Sequence, residues 1–208
     1  MKDWVAWHRD YDDPTSALSA RRRQVTRLIR ECLDNFGGDT LRVLSLCAGD
    51  ASDLTDALRG HPRAAHVAGA AIESDATLAA RAAENLAATG ASVDVLVVDA
   101  GATAHFVDRL PVDLLLLVGV FGNVSDADVE RTIRAVPALC APGAAIIWTR
   151  HRRDPDLTPR IREWFDEVGC GFTAFVSPGT GQFAIGMERL TRPNPSAALP
   201  DRLFQFVD

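Results

Sequence analysis

The sequence predicts an α/β fold: one mostly parallel sheet closed by an antiparallel hairpin. Three observations point there. Stretches with apolar residues at helical spacing alternate with short apolar runs along most of the chain. The run at 112–118 is almost wholly apolar, as expected of a strand buried on both faces. The last two runs, 171–176 and 182–190, are separated only by Ser-Pro-Gly-Thr-Gly, which is too short for a crossover and forces an antiparallel hairpin. With 208 residues, 47% apolar and 24% charged, the chain reads as one ordinary globular domain and not as a disordered one. Such a domain buries roughly 70% of its unfolded surface, so it needs no disulfide or metal to hold a core.

The elements follow in order. Asp13 can cap a first helix with Pro14 in its first turn. Leu18, Val25, Leu28, Ile29, Cys32, Leu33 and Phe36 then recur at helical spacing, and Gly37-Gly38 ends the helix. Its polar face carries Arg21, Arg22, Arg23, Arg27 and Arg30, which reads as a solvated face. Strands are expected at 41–47, 65–72, 93–98, 112–118 and 144–149, the last preceded by a Pro142-Gly143 turn. Helices are expected at 52–58, 76–88, 126–139 and 157–168. The result is five βα units and a closing hairpin. The tail from Arg192 holds Pro193, Pro195 and Pro200 and reads as a linker that docks its last, apolar residues, 203–207. That apolar end could also reach a partner subunit and form a homodimer. Three segments result: an N-terminal lid and helix at 1–37, an α/β domain at 38–190 and a C-terminal tail at 191–208.

The net charge of −6 argues against a non-specific binder of nucleic acid. No apolar run is long enough to span a membrane, and the N-terminus is no signal peptide. Cys32, Cys47, Cys140 and Cys170 lack metal-ligand spacing and sit in apolar stretches, so they read as buried free thiols in a reducing, cytoplasmic compartment. His61, His66 and His105 converge with no carboxylates in the sequence, and no metal site is expected.

In open α/β sheets ligands bind outside the carboxyl ends of the strands, so the residues just after each strand carry the functional reading. After the first strand comes Cys47-Ala48-Gly49-Asp50-Ala51-Ser52-Asp53. Its small residues let a ligand approach the backbone, and the following helix N-terminus could receive a carboxylate. The second strand ends in Ile72-Glu73-Ser74-Asp75, where a carboxylate can accept both hydroxyls of a ribose, although Asp75 could simply cap the next helix. The third ends in Val98-Asp99-Ala100-Gly101, where an acid can receive an adenine amine or merely shape a turn.

A small-residue loop followed by acids after the second and third strands, together with the closing hairpin, resembles the class I S-adenosylmethionine-dependent methyltransferases over residues 38–190. The stretches Val43-Leu44-Ser45-Leu46-Cys47-Ala48-Gly49-Asp50 and Ile72-Glu73-Ser74-Asp75 carry most of the likeness. Gly119-Val120-Phe121-Gly122-Asn123 and Trp148-Thr149-Arg150-His151 also look like a bacterial subgroup of small stand-alone methyltransferases. The resemblance implies a Rossmann-like, seven-stranded sheet with helices on both faces, S-adenosylmethionine as cofactor and S-adenosylhomocysteine as product. It places Cys47, Ala48, Gly49 and Asp50 beside the methionine part, Glu73 on the ribose, Ser74 against the adenine, Asp99 on its amine with Ala100 alongside, and Gly119 and Val120 at the methyl-transfer site. The family's loop usually has a further glycine where Ala51 stands. An alanine there costs little if its φ is negative.

No Asp/Asn-Pro-Pro-Tyr/Phe motif follows the fourth strand, so the resemblance lends no support to methylation of a base amine. A small-molecule acceptor is expected, and no nucleic acid or membrane partner. Methyl transfer from a sulfonium needs alignment and desolvation, with a general base only where the nucleophile carries a proton. Trp4, Trp7, His8 and Tyr11 could form a lid, with His8 and Tyr11 as candidate bases; the alternative is a segment pinned onto the core by its tryptophans. His151 is a third candidate base. Arg150 could hold a substrate carboxylate, while Arg152 and Arg153 read as solvated loop charge. Phe121 and Asn123 could contact substrate, and Asn123 could equally cap the helix near Asp126. Competing readings are an enzyme of this fold that uses the cofactor for cyclisation or elimination, a non-catalytic binding module, and a nicotinamide enzyme. The last is disfavoured by the missing Gly-x-Gly-x-x-Gly and by the final hairpin.

Overall fold

The computed structural model describes residues 13, 15–177 and 181–207. Along the chain run α1 (Ala17–Asn35), β1 (Leu41–Leu46), α2 (Ser52–Leu58), β2 (Val67–Ile72), α3 (Ala76–Ala87) and β3 (Ser92–Leu96). They are followed by β4 (Val112–Leu117), α4 (Asp126–Leu139), β5 (Cys140–His151), α5 (Thr158–Glu167), β6 (Cys170–Val176) and β7 (Phe183–Leu190). The strands form one seven-stranded sheet in the order β3-β2-β1-β4-β5-β7-β6. Strands β1 to β5 are parallel, and β7 runs antiparallel to both β5 and β6. The predicted fold class and closing hairpin are therefore present.

Period-two alternation along the central strands divides the core into two layers. Val43, Leu114, Leu116 and Ile147 pack with Val25, Leu28, Ile29 and Leu33 of α1 and with α2 and α3. Leu44, Leu46, Leu115, Leu117, Ile146 and Trp148 pack with α4 and α5 on the other face. This is why the run at 112–118 shows no polar face: both of its faces are covered.

Four expectations need correction. Helix α1 starts later than predicted, because the Asp13 carboxylate accepts hydrogen bonds from the Thr15 amide and hydroxyl. Ser16, in extended conformation, caps the helix instead by accepting from the Ser19 amide. The Pro142-Gly143 pair does not separate a helix from a strand but lies within β5, where the β4 ladder skips from Val112–Cys140 to Leu114–Ala145. Strand β5 also runs two residues further, to His151, because β7 continues to pair with it (Arg150 opposite Ala184, His151 opposite Phe183). Arg150 and His151 thus sit on a strand end and not in a loop.

Third, one of the five βα units lacks its helix. Between β3 and β4 there are only two short 3-10 turns, Thr103–His105 and Val107–Arg109. The tail covers that part of the sheet: Leu203 and Phe204 are 0% and 1% exposed and join the same core layer as Phe106. The tail is held at Leu203 N–Gly101 O (2.8 Å) and Thr103 Oγ1–Pro200 O (2.7 Å). A Cβ at Gly101 would lie 2.1 Å from the Phe204 carbonyl oxygen, so only glycine admits the tail this closely. Leu203 and Phe204 are therefore committed within their own chain and are not available to a partner subunit. Fourth, His61 does meet a carboxylate: its Nε2 lies 3.1 Å from Asp34, tying the end of α1 to the turn after α2.

No helix among the described residues is long and apolar enough to cross a membrane. Cys32, Cys140 and Cys170 are buried free thiols and Cys47 is a half-buried one. Burial pushes the Cys32 thiol up to about 11 and the Cys170 thiol up to about 12, so neither supplies a thiolate nucleophile at neutral pH.

Candidate active site

The loop after β1 is shaped by residues in the left-handed region. Cys47, Gly49 and Ala51 have φ of 56°, 58° and 54°. The condition under which alanine at 51 would cost little, a negative φ, is not met. A left-handed alanine costs roughly 1–2 kcal/mol. Its methyl is buried in the layer formed by α1 to α3, which offsets about 0.8 kcal/mol. The loop is closed by Ala51 N–Ala48 O at 2.9 Å and joined to β2 by Ala48 N–Ile72 O at 2.9 Å.

Glu73 follows β2 and is 8% exposed. Its carboxylate accepts from the Gly49 amide (2.8 Å) and the Asp75 amide (2.9 Å), one on each oxygen. It is thus fixed in one orientation, held by the loop it faces. Asp75 caps α3 by accepting from the Thr77 and Leu78 amides, as its alternative reading expected.

These residues line a cavity of about 250 Å³ at the carboxyl edge of the sheet. Its wall contains Cys47, Ala48, Gly49, Asp50, Glu73, Ser74 and Gly119, all anticipated from the sequence. It also contains Ser52 and Asp53, from the end of the same sequence stretch, and Arg21, Leu78, Val118 and Phe206, which the sequence does not single out. Burial raises the Asp53 carboxyl to about 6 against the pull of Arg21 and Arg22, with Asp50 and Asp56 pushing it further up. Arg21 is 8% exposed, so this part of the face expected to be solvated is packed, whereas Arg23 and Arg27 stay exposed. Arg22 pairs with Asp56 at 2.5 Å, and Arg30 bonds the Asp56 and Arg59 carbonyls, so this face grips α2.

A second, larger cavity of about 710 Å³ shares Arg21 and Gly119 with the first. Gly119 has a φ of 79°, and a Cβ there would meet nothing within 4 Å, so the glycine keeps the junction open. Its amide donates to Thr149 Oγ1 at 2.8 Å, and Asn123 Nδ2 donates to its carbonyl at 2.7 Å. Asn123 therefore braces this loop, while Ser125 caps α4. Among the described residues, the second cavity is lined by Arg21, Arg150, Arg152, Arg153, His151 and Asn123 among others, and by no Asp or Glu. Burial, then Arg150 and Arg153, lower the His151 pKa below its usual 6.5, so the ring is neutral at pH 7. Its Nδ1 is buried without a hydrogen-bond partner among the described residues. Arg152 pairs with Asp156 at 2.9 Å.

Of the other sequence candidates among the described residues, Arg150 lines the second cavity, whereas Val120, Phe121, Asp99 and Ala100 line neither. Arg150 is only 9% exposed; it donates to the Phe121 carbonyl and pairs with Asp126 at 3.0 Å, so most of its fork is committed to bracing α4. Val120 and Phe121 are 0% exposed and belong to the core, where Phe121 packs against Trp148 with ring centroids 6.2 Å apart. Ala100 is buried as well. Asp99 accepts from the Gly101 amide and from Arg202 of the tail, each at 2.8 Å. An adenine amine would have to share that carboxylate with Arg202. Trp4, Trp7, His8 and Tyr11 lie outside the described residues.

No protein-family model matches the sequence, and neither does any curated protein. Solved structures do. Magnesium protoporphyrin IX methyltransferase (ChlM) from Synechocystis PCC 6803, determined with bound S-adenosylmethionine, aligns over 89% of this chain and 90% of its own, with a TM-score of 0.64 and 14% identity. An O-methyltransferase family protein from Burkholderia thailandensis aligns over 89% of this chain but only 62% of its own, with a TM-score of 0.58 and 17% identity. An rRNA methylase from Streptococcus thermophilus covers 79% of this chain and 95% of its own, with a TM-score of 0.59 and 11% identity. This chain has the fold of the class I S-adenosylmethionine-dependent methyltransferases. At these identities the likeness defines the fold, and two of these neighbours, the magnesium protoporphyrin IX methyltransferase and the rRNA methylase, are named for different acceptors.

Proposed function

We propose that this chain transfers a methyl group from S-adenosylmethionine to a small anionic molecule. The observation that carries the reading is the pair of cavities meeting at Gly119, one bearing a fixed buried carboxylate and the other ringed by arginines with no acid among the described residues. The first fits the cofactor chemically. Glu73 offers two oriented oxygens to a ribose diol, and Ser74 and Leu78 stand beside it. Arg21 with Asp50 and Asp53 complements the carboxylate and ammonium of an amino-acid head group. ChlM, solved with this cofactor, supports the assignment.

The cofactor supplies a methyl already activated on a sulfonium, so the chain's task is alignment and exclusion of water. Gly119 leaves the line between donor and acceptor unobstructed. Arg153, which has no ion pair among the described residues, and the outer edge of Arg152 orient an anionic group of the acceptor. His151, neutral at pH 7, takes the acceptor's proton as the new bond to carbon forms and the sulfur–methyl bond breaks. A net charge of −6 disfavours a nucleic-acid acceptor, although the fold is shared with an rRNA methylase.

The test is incubation with methyl-labelled cofactor and a metabolite extract, followed by anion-exchange separation. Label should appear in a small anionic product; label confined to RNA or protein would overturn the acceptor assignment. A second expectation concerns pH. Asp53 gains a proton as the pH falls through about 6 and then no longer complements the ammonium. Affinity for S-adenosylhomocysteine, measured by calorimetry, should fall between pH 7.5 and 5, and Asp53→Asn should flatten that dependence. An unaltered slope in the variant would remove Asp53 from the head-group site.

A further inference from the structure

The C-terminal tail crosses the carboxyl edge of the sheet between the loops that follow β3 and β4. It pairs with Ala102 at Arg202 and with Val124 at Phe206. The Gln205 amide donates to Asp128 at 3.2 Å and the Val207 amide to the Asn123 carbonyl at 3.0 Å. Buried Leu203 and Phe204 anchor it, and the Thr132 hydroxyl reaches the Leu203 carbonyl at 3.3 Å. Every second residue from Leu203 is therefore not free to swing, and the chain delivers Phe206 to a defined place. That place is the wall of the first cavity, alongside Cys47, Glu73, Ser74, Leu78 and Val118. Phe206 is 38% exposed, and its ring is steadied edge-on by Phe204 at 6.0 Å between centroids. The cavity's lining includes the charged Arg21, Asp50, Asp53 and Glu73 and the apolar Leu78, Val118 and Phe206.

We infer that the tail is part of the nucleoside site and that Phe206 is the aromatic surface against which the purine of the cofactor lies. This rests on the methyltransferase reading and deepens it. A purine needs an apolar, flat neighbour, and base–aromatic stacking is among the larger contributions a single side chain can make to nucleoside binding. The same tail engages Asp99 through Arg202, so the carboxylate expected to meet the adenine amine and the ring expected to meet its face are organised by one segment.

The test is calorimetric titration of the full chain and of Phe206→Ala and Phe206→Tyr with S-adenosylhomocysteine and, separately, with adenosine. Phe206→Ala should weaken both ligands by the same factor, about 5- to 150-fold given the usual range for such stacking. Phe206→Tyr, which keeps the ring, should bind like the parent, and all three should melt at similar temperatures because Leu203 and Phe204 still anchor the tail. Unchanged affinities in Phe206→Ala, beside a parent that binds, would overturn the inference alone. A loss seen with S-adenosylhomocysteine but not with adenosine would place the ring against the amino-acid part and overturn it too. A parent that binds neither ligand would overturn the cofactor assignment and, with it, this inference.

Discussion

Glu73→Ala should weaken S-adenosylhomocysteine binding by about 1.5–3 kcal/mol, roughly 10- to 150-fold, in a calorimetric titration. The magnitude is that of hydrogen bonds to a charged group, lost in a half-enclosed site. A second consequence follows from the geometry. The carboxylate accepts from the Gly49 and Asp75 amides, so its removal leaves two donors at a largely buried position without their partner. The alanine variant should therefore also be less stable, by about 1–3 kcal/mol. Glu73→Gln separates the two effects. Its amide oxygen can still accept from one backbone donor, but its NH2 cannot accept a ribose hydroxyl. Gln should thus recover part of the stability and little of the affinity. If a folded Glu73→Ala protein binds as tightly as the parent, Glu73 is not in the cofactor site.

The strand ends show which parts of this molecule were legible in the sequence. Cys47 to Asp50, Glu73, Ser74 and Gly119 could be located because each sits next to an apolar run whose end is visible locally. The strands and helices were recognisable for the same reason, as periodicity is a property of neighbours in sequence. Arg21 and Phe206 were not. Arg21 lies in an arginine cluster that looks like solvent-facing charge, and only the packing of α1 on α2 brings it to the cavity. Asp53 stands directly after the small-residue loop, at the start of a helix, and that position was a usable signal. Phe206 reaches the site through pairings with residues about 80–100 positions away, at Val124 and, through Arg202, at Ala102. No local pattern encodes such an approach. Gly101 is its sequence trace, but a glycine after a strand reads as a turn until the Phe204 carbonyl is seen against it.

The same limit explains the misplaced candidates. Val120 and Phe121 follow β4 and would line a cavity if the chain continued straight. Instead Gly119 turns at positive φ and sends both side chains into the layer beneath α4 and α5. Arg150 is placed correctly in the chain, but the groups its guanidinium meets are not legible there. Its partners, the Phe121 carbonyl and Asp126, come from the preceding crossover and become neighbours only when the sheet forms. The basic rim of the second cavity then falls to Arg152 and Arg153, which the sequence alone reads as ordinary loop charge.

The last expected effect is on stability and lies away from the site. Glu188→Gln should stabilise the protein above neutral pH. Glu188 lies on β7, opposite Ile146 of β5 and Phe172 of β6, and is 2% exposed. Burial raises its pKa to about 7, and the nearby Trp148 indole N–H and Arg162 offset only part of that. Its Oε1 and the Trp148 Nε1 both remain without a hydrogen-bond partner of ordinary geometry. Between pH 4.5 and 7 the folded chain holds this proton and the unfolded chain has released it, so this residue's contribution to stability falls as the pH rises across that window. Above it the ionised form costs about 3 kcal/mol, the free-energy equivalent of the shift. A glutamine keeps the shape and never ionises. Its melting temperature should therefore match the parent's at pH 4.5 and exceed it at pH 8.5 by roughly 6–12 °C, given the usual 2–4 °C per kcal/mol for a domain of this size. Equal melting temperatures at pH 8.5 would show that the carboxylate is solvated or paired in solution. Glu188 lines neither cavity, so affinity for S-adenosylhomocysteine should be unchanged. The charge would then be a burden on the core with no part in cofactor binding.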